Sequence, residues 1–379
     1  MNGRSPVTIA ILYLGLVACA GAPVVEIDSP NDVNALNERQ SRLWYAADNL
    51  GQSIDKRNLV YEDEELTAYV QSVLDRLYPE LVGTLHVELF DSPHLNAICL
   101  PNGHIYINIG LLARLDNEAQ LATILAHEAA HFIRQHSAQQ RNSADGAVLV
   151  GTGVEILTGI PFSGSLLAAS VMSSYSQAHE NEADNDGFAR LVEAGYDPSE
   201  APKAFHKLLQ EVEVLDIDQP FMFASHPKLE HRIASFNSLM AGVKNPGGRV
   251  NADEFLQRTE GLREATLVRY MDMNNHKVLL LILENPVLRQ RYAEHPNFFL
   301  GEAYRLRNEE GDDALAMQAL KRTISADPLY APAYRALGLL MMKQGRNKEA
   351  IENLSTYLGL SPEASDREYI ETYLQQLES

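Results

Sequence analysis

Apolar residues recur at helical spacing from Val33 to Asp75, around Leu43, Ala46 and Leu50 and again at Leu66, Tyr69, Val70, Val73, Leu74 and Leu77. This predicts helices packed around a core. The period drops to two in Leu85–Phe90 and again in Ile105–Ile109 after the turn residues Pro101-Asn102-Gly103, predicting a small sheet. Its free edge would hold an extended peptide by main-chain hydrogen bonds, although an ordinary hairpin packed on a helix fits the pattern equally well. Near Asp116-Asn117-Glu118 a helix opens with a cap and first-turn carboxylates, and runs through Leu121, Ile124, Leu125, Phe132 and Ile133.

Past His136 the chain turns polar, and then Ala147 to Tyr175 is apolar and rich in small residues. Glu155 and Gly159-Ile160-Pro161 interrupt that segment, so neither half reaches the ~20 apolar residues of a spanning helix. A helical hairpin is expected, as a mobile lid over a cleft or as plain core. Asn245-Pro246-Gly247-Gly248 predicts a domain boundary, and residues 253–292 read as helical but uneven. Tyr334, Leu337, Gly338, Met341, Gly345, Ala350, Leu354 and Pro362 then fall at the spacing of a tetratricopeptide unit. Leu300-Gly301, Tyr304, Ala316, Leu320 and Pro328 form a preceding unit whose inter-helix turn is about three residues longer than the usual ~34-residue period allows. Ala364 to Leu377 would cap the pair, which is expected to lean on neighbouring helices.

The expected fold class is α+β and predominantly helical. The expected organisation is a signal peptide at 1–18, a tether at 19–31, a catalytic domain with a small sheet at 32–240, a helical linker at 241–295 and an all-α repeat module at 296–379. With 379 residues, 45% of them hydrophobic, two or three real cores are affordable. The formal charge of −20 argues against nucleic acid and against charge-driven adhesion to lipid.

Arg4, the apolar run Val7–Val17 and the small residues after it have the form of a secretory signal. Leu16-Val17-Ala18-Cys19 resembles the lipobox of bacterial lipoproteins, which implies lipidation of Cys19. Ala20 follows, and by the usual Gram-negative sorting pattern this implies the inner leaflet of the outer membrane; an ordinary signal peptide would instead release a soluble periplasmic protein. Lipidation of Cys19 leaves Cys99 alone, so no intrachain disulfide is available, and the apolar run around Cys99 favours a packed residue over a reactive one.

Candidate chemistry centres on His127-Glu128-Ala129-Ala130-His131. Two histidines four residues apart on a helix project from one face and can grip one Zn²⁺. Glu128 then sits beside the open metal position, where it can take a proton from attacking water. The two histidines lie close to the helix's apolar stripe, which favours a buried site. A hydrolytic zinc needs a third protein ligand, and Glu180 in His179-Glu180-Asn181-Glu182-Ala183-Asp184 supplies a carboxylate. Asp184, one turn on, can accept the free ring N–H of a ligand histidine. Glu182 points off that face and reads as solvated, while His179 and His231 have no spacing argument.

The motif helix, the downstream Glu-x-Glu-Ala-Asp with Gly187 and Ala194-Gly195-Tyr196-Asp197-Pro198, and the upstream Asn96-Ala97 through Gly110-Leu111-Leu112 together resemble the HtpX/BepA-type zinc metallopeptidases over residues 32–240. The resemblance implies a gluzincin-type fold, one Zn²⁺ per chain on His127, His131 and Glu180, and Glu128 as base. One departure stands out: members usually carry Ser-Arg a few residues before the ligand Glu, and here Ser176 is followed by Gln177. Ser225-His226-Pro227 with Arg232 downstream resembles a further family element. There His226 would be an extra zinc ligand or an oxyanion donor, the BepA-like branch implying the former, and Arg232 a support.

The function expected from this resemblance is a lipid-anchored zinc endopeptidase on the periplasmic face of the outer membrane. Its substrates would be unfolded or misassembled envelope proteins, with the repeats available to dock on the outer-membrane protein assembly machinery. The alternative is a chaperone or assembly factor acting through its repeats, with a closed zinc site.

Overall fold

In the computed structural model, residues 23–143, 175–215, 229–244, 246–292 and 294–378 are described. Cys19, His226 and residues 147–174 of the expected lid lie outside them.

The N-terminal helices form where their caps direct. Asn37 accepts from the amides of Arg39 and Gln40 to open α1 (Glu38–Lys56), and Asp63 accepts from Leu66 N to open α2 (Glu64–Leu77). Three strands follow, β1 (His86–Phe90), β2 (Ala97–Cys99) and β3 (His104–Asn108), in the order β1-β3-β2. The two strands expected from alternation pair in parallel, His86 opposite His104 and Phe90 opposite Asn108, so they are not a hairpin. The turn at Pro101-Asn102-Gly103 instead joins β3 to β2, a three-residue antiparallel edge strand with Ala97 opposite Ile107. Ala97-Ile98-Cys99 is too short for alternation to register as a strand.

A single turn, α3 (Ile109–Leu112), leads to α4 (Glu118–Ile133), whose cap Asn117 accepts from Gln120 N. Every residue of α4 from Glu118 to Phe132 is buried. The expected apolar stripe therefore widens to the whole circumference, as in a helix at the centre of a domain. It is enclosed by α2, the sheet, α6 (Gln177–Glu193) and α7 (Glu200–Leu215), while α5 (His136–Ser143) and α8 (Leu229–Ala241) complete the shell.

Two expected boundaries move. Within the expected tether, Ile27 is fully buried, its amide donates to Ile133 O at 2.9 Å, and Gln40 exchanges hydrogen bonds with both sides of Val25. The chain around Val25 and Ile27 is thus clamped to α1 and to the end of α4 rather than loose. The expected linker is also divided. Phe255 in α9 (Ala252–Arg258) and Leu262 in α10 (Glu260–Asp272) belong to the first core, whereas Leu267 and Tyr270 begin the second.

The turn at Gly247-Gly248 returns the chain to α4. There the buried carboxylate of Glu118 accepts from Tyr69 (2.9 Å), Tyr196 (2.8 Å), Arg76 (2.8 Å), Arg249 (2.6 Å) and Asn251. Expected only as a first-turn carboxylate, Glu118 gathers α2, α4, the segment after α6 and the chain beyond α8 at one point. Burial by itself would raise its pKa, but the bonds from Arg249, Asn251, Tyr196 and Tyr69 outweigh burial and hold it lowered.

The second core continues through α11 (His276–Glu284), α12 (Pro286–Tyr292) and two helical hairpins, α13 (Pro296–Arg307) with α14 (Asp312–Ala326) and α15 (Ala331–Lys343) with α16 (Asn347–Leu360), ending in α17 (Arg367–Glu378). The hairpins close on glycine. A Cβ on Gly301 would lie 2.7 Å from Leu320 Cγ, and one on Gly338 2.7 Å from Leu354 Cγ. Nineteen residues separate the first pair and sixteen the second, which is where the three extra residues of the first unit reside. Arg269 grips Asp91 with two 2.7 Å bonds and Tyr270 OH donates to Pro93 O at 3.0 Å, fastening α10 to the segment that leads into β2. No helix among the described residues is long and apolar enough to cross a membrane.

Because the Glu118 pKa is lowered on folding, its stabilisation is present above the unfolded carboxylate pKa of about 4.3 and is lost as pH falls through the folded value. Glu118→Gln is expected to cost about 2–3 kcal/mol at pH 7, below the full penalty for a broken buried pair because Arg76 and Arg249 are partly solvated. Urea unfolding should show the gap to wild type closing below about pH 4.

Candidate metal centre

His127 and His131 lie one turn apart on α4. Glu180 and Asp184 lie one turn apart on α6, whose cap is Ser176, accepting from His179 N. The two helices meet at Gly187, where a Cβ would sit 3.1–3.3 Å from the backbone of Ala126 and His127. No side chain intervenes, so the carboxylates of α6 reach the imidazoles of α4.

Among the described residues, His127, His131 and Glu180 are brought together as a set of possible metal ligands, all three buried. His127 Nε2 lies 3.1 Å from His131 Nε2. Glu180 Oε2 is 3.5 Å from His127 Nε2, and Glu180 Oε1 is 3.5 Å from His131 Nε2. Three donors on a tetrahedron about zinc, each roughly 2.0–2.1 Å from the ion, would be about 3.3 Å apart. The side chains present therefore fit Zn²⁺.

Around the donors the charges are unequal. Asp184 Oδ1 lies 2.9 Å from His127 Nδ1 and 2.6 Å from Arg232 Nη2, all three groups being buried. Against the upward push of burial, Arg232 and His127 lower the Asp184 pKa to about 2. Burial, and next the Arg232 guanidinium, lower His127 to about 4. The imidazole is thus neutral at pH 7, with Nδ1–H on Asp184 and the Nε2 lone pair directed at the site. Arg232, expected only as a support, also lies over the Phe205 ring, its Cζ 4.1 Å from the centroid. Among the described residues, Glu128, Glu180 and Asp184 bring three carboxyl groups to the pocket beside the one guanidinium of Arg232, a donor set suited to a divalent cation.

Glu128 is buried beside this set and lies near enough to Cys99 and Tyr175 to add to the effect of burial in raising both pKa values. Cys99, packed on β2 with its pKa well above the usual thiol value, is the quiet residue expected. Tyr175 stacks on His131, with ring centroids 4.0 Å apart, and its hydroxyl lies 3.0 Å from Ser137 Oγ.

Two residues depart from their sequence reading. Glu182, expected to be solvated, is half-buried, its Oε2 3.1 Å from His136 Nε2. His136, with no role in the sequence reading, is fully buried, its Nδ1 2.8 Å from His131 Nδ1. Its position nine residues after His127 was the available signal, but helical spacing gives no reason for the contact because α4 ends before it. His179 stacks on His136 at 4.5 Å, and His231 is exposed.

Residues 60–240 match the family model for peptidase family M48. That segment is thus similar to the M48 peptidases. The matched segment carries all the chemistry described above, and α9 to α17 lie beyond it. The chain is 32% identical over 191 residues to the beta-barrel assembly-enhancing protease of Escherichia coli O157:H7, covering 45% of this chain and 38% of that protein. It is 29% identical over 213 residues to the protein of that name from Yersinia pestis, covering 52% and 43%. It is 30% identical over 176 residues to the mitochondrial metalloendopeptidase OMA1 of Schizosaccharomyces pombe, covering 44% and 51%. The chain thus spans less than half the length of the assembly-enhancing proteases it matches.

Arg232→Met leaves Asp184 ionised, buried and without its guanidinium. The expected cost is about 3–5 kcal/mol, read as a lower urea midpoint at unchanged slope.

Proposed function

We propose that the chain is a zinc-dependent endopeptidase acting on unfolded or misassembled envelope proteins. The observation that carries this reading is the trio of His127, His131 and Glu180 donors at tetrahedral spacing, with a buried carboxylate, Glu128, adjacent in sequence. M48 metallopeptidases are zinc-dependent. Zinc held there supplies Lewis acidity to a water molecule and to the scissile carbonyl.

The chain's own residues divide the remaining work. Glu128 takes the proton from the attacking water and returns it to the departing amine. Asp184, fixed by Arg232, keeps the His127 ring in one tautomer. The edge strand β2 packs against α4, and an extended peptide added to it by main-chain pairing would run past the site.

The names of the relatives, two assembly-enhancing proteases and a mitochondrial metalloendopeptidase, support protein quality control in an envelope as the setting. Export with lipidation at Cys19 completes the reading, as do repeats at 296–379 that dock partners of the outer-membrane assembly machinery. His226 is assigned as a regulatory fourth ligand or oxyanion donor.

The test is cleavage of an unfolded model protein by the zinc-loaded full chain, with metal content measured for each variant. Glu128→Gln is expected to lower the rate about 10²–10⁴-fold with zinc retained. His226→Ala is expected to cut faster if that residue closes the site at rest. Zinc-loaded protein that cuts nothing in any form would replace the enzyme by a binding factor.

A further inference from the structure

His127 and His131 have different supports. Behind His127 stands a buried carboxylate, whereas behind His131 stands another imidazole. α4 ends at Ile133, and Gln135 adopts a left-handed conformation, φ 53°, held by its side-chain bonds to Phe132 O (2.8 Å) and from Gln40 Nε2 (3.2 Å). That reversal places the fully buried His136 against the ring of the second ligand.

We propose that His136 and Glu182 are positioning residues for the metal site, forming a hydrogen-bonded relay in which His131 Nδ1–H donates to His136 Nδ1 and His136 Nε2–H donates to Glu182 Oε2. The inference rests on the metal reading above. If His131 gives its Nε2 lone pair to a cation, its proton resides on Nδ1. At 2.8 Å, two N–H groups cannot face each other, so His136 Nδ1 must be bare. The His136 proton is then on Nε2, which points at Glu182 Oε2 3.1 Å away. One proton arrangement satisfies every polar atom along the line.

Further contacts hold the relay in place. His179 stacks on the His136 ring, and Tyr175 covers a face of His131. Arg134, which binds Asp186 (2.7 Å) and Glu26 (2.8 Å), has its Nε 3.8 Å from Glu182 Oε1. The half-exposed Glu182 stands one ring further from the metal than Asp184 does. The relay therefore fixes the tautomer and ring angle of His131 more than it adds negative charge to it.

The zinc dissociation constant of the full chain, measured by chelator competition, tests this directly, with folding of each variant checked by its melting curve. His136→Ala is expected to weaken zinc binding about 10–100-fold. His136→Asn, whose side-chain oxygen can take the place of Nδ1 as acceptor, should remain within about threefold of wild type. Glu182→Gln, at a half-exposed site, should weaken binding severalfold in the wild type and have no effect in the His136→Asn background. If His136→Ala binds zinc like wild type, or if Ala and Asn weaken it equally, the relay is overturned. Should His136→Ala fail to fold, the Glu182→Gln pair decides: an equal effect in both backgrounds also overturns it. A wild-type chain that takes up no zinc overturns the metal reading, and the relay with it.

Discussion

Placing two imidazoles and a carboxylate within 3.5 Å of one another in a buried interior is the constraint on which this structure depends. Such groups are costly to bury unless each lone pair and proton has a destination and the net charge is balanced. Much of the domain answers that requirement. Gly187 lets α6 approach the backbone of α4, Asp184 and Arg232 settle the state of His127, and the chain beyond α4 folds back to meet His131.

α4 joins the site to the scaffold. At its N-terminal end Glu118 collects donors from three other segments; nine residues on, roughly 13 Å along the axis, His127 enters the metal site. With no solvent-facing side on α4, movement at one end must be accommodated by close-packed neighbours at the other. The segment after β1 is similarly held between bodies, since Arg269 and Tyr270 of α10 grip it just before the edge strand. The C-terminal helices are therefore mechanically continuous with the sheet that flanks the site.

Legibility of the fold followed the range of the interactions. Helices with side-chain caps and long periodic stretches stood out, as did the two five-residue strands. The parallel pairing of β1 and β3 did not, because strand direction is set by a crossover and not by alternation. The clamped segment before α1 and the division of the expected linker between two cores were also hidden. Ile27 and Leu262 look the same in a loop, a linker or a core until the surfaces that cover them are present.

By itself the sequence determined which residues can do chemistry: two histidines one helical turn apart with Glu128 between them, and Glu180 and Asp184 one turn apart on a second helix. These follow from 3.6 residues per turn, a local property of the chain. Only the tertiary structure decided which partner each would have. Asp184 faces His127, Arg232 stands behind Asp184, His136 reaches His131, and Glu182 turns from solvent toward His136. Those pairings depend on the angle and distance at which separate segments meet, and helical periodicity carries no information about either.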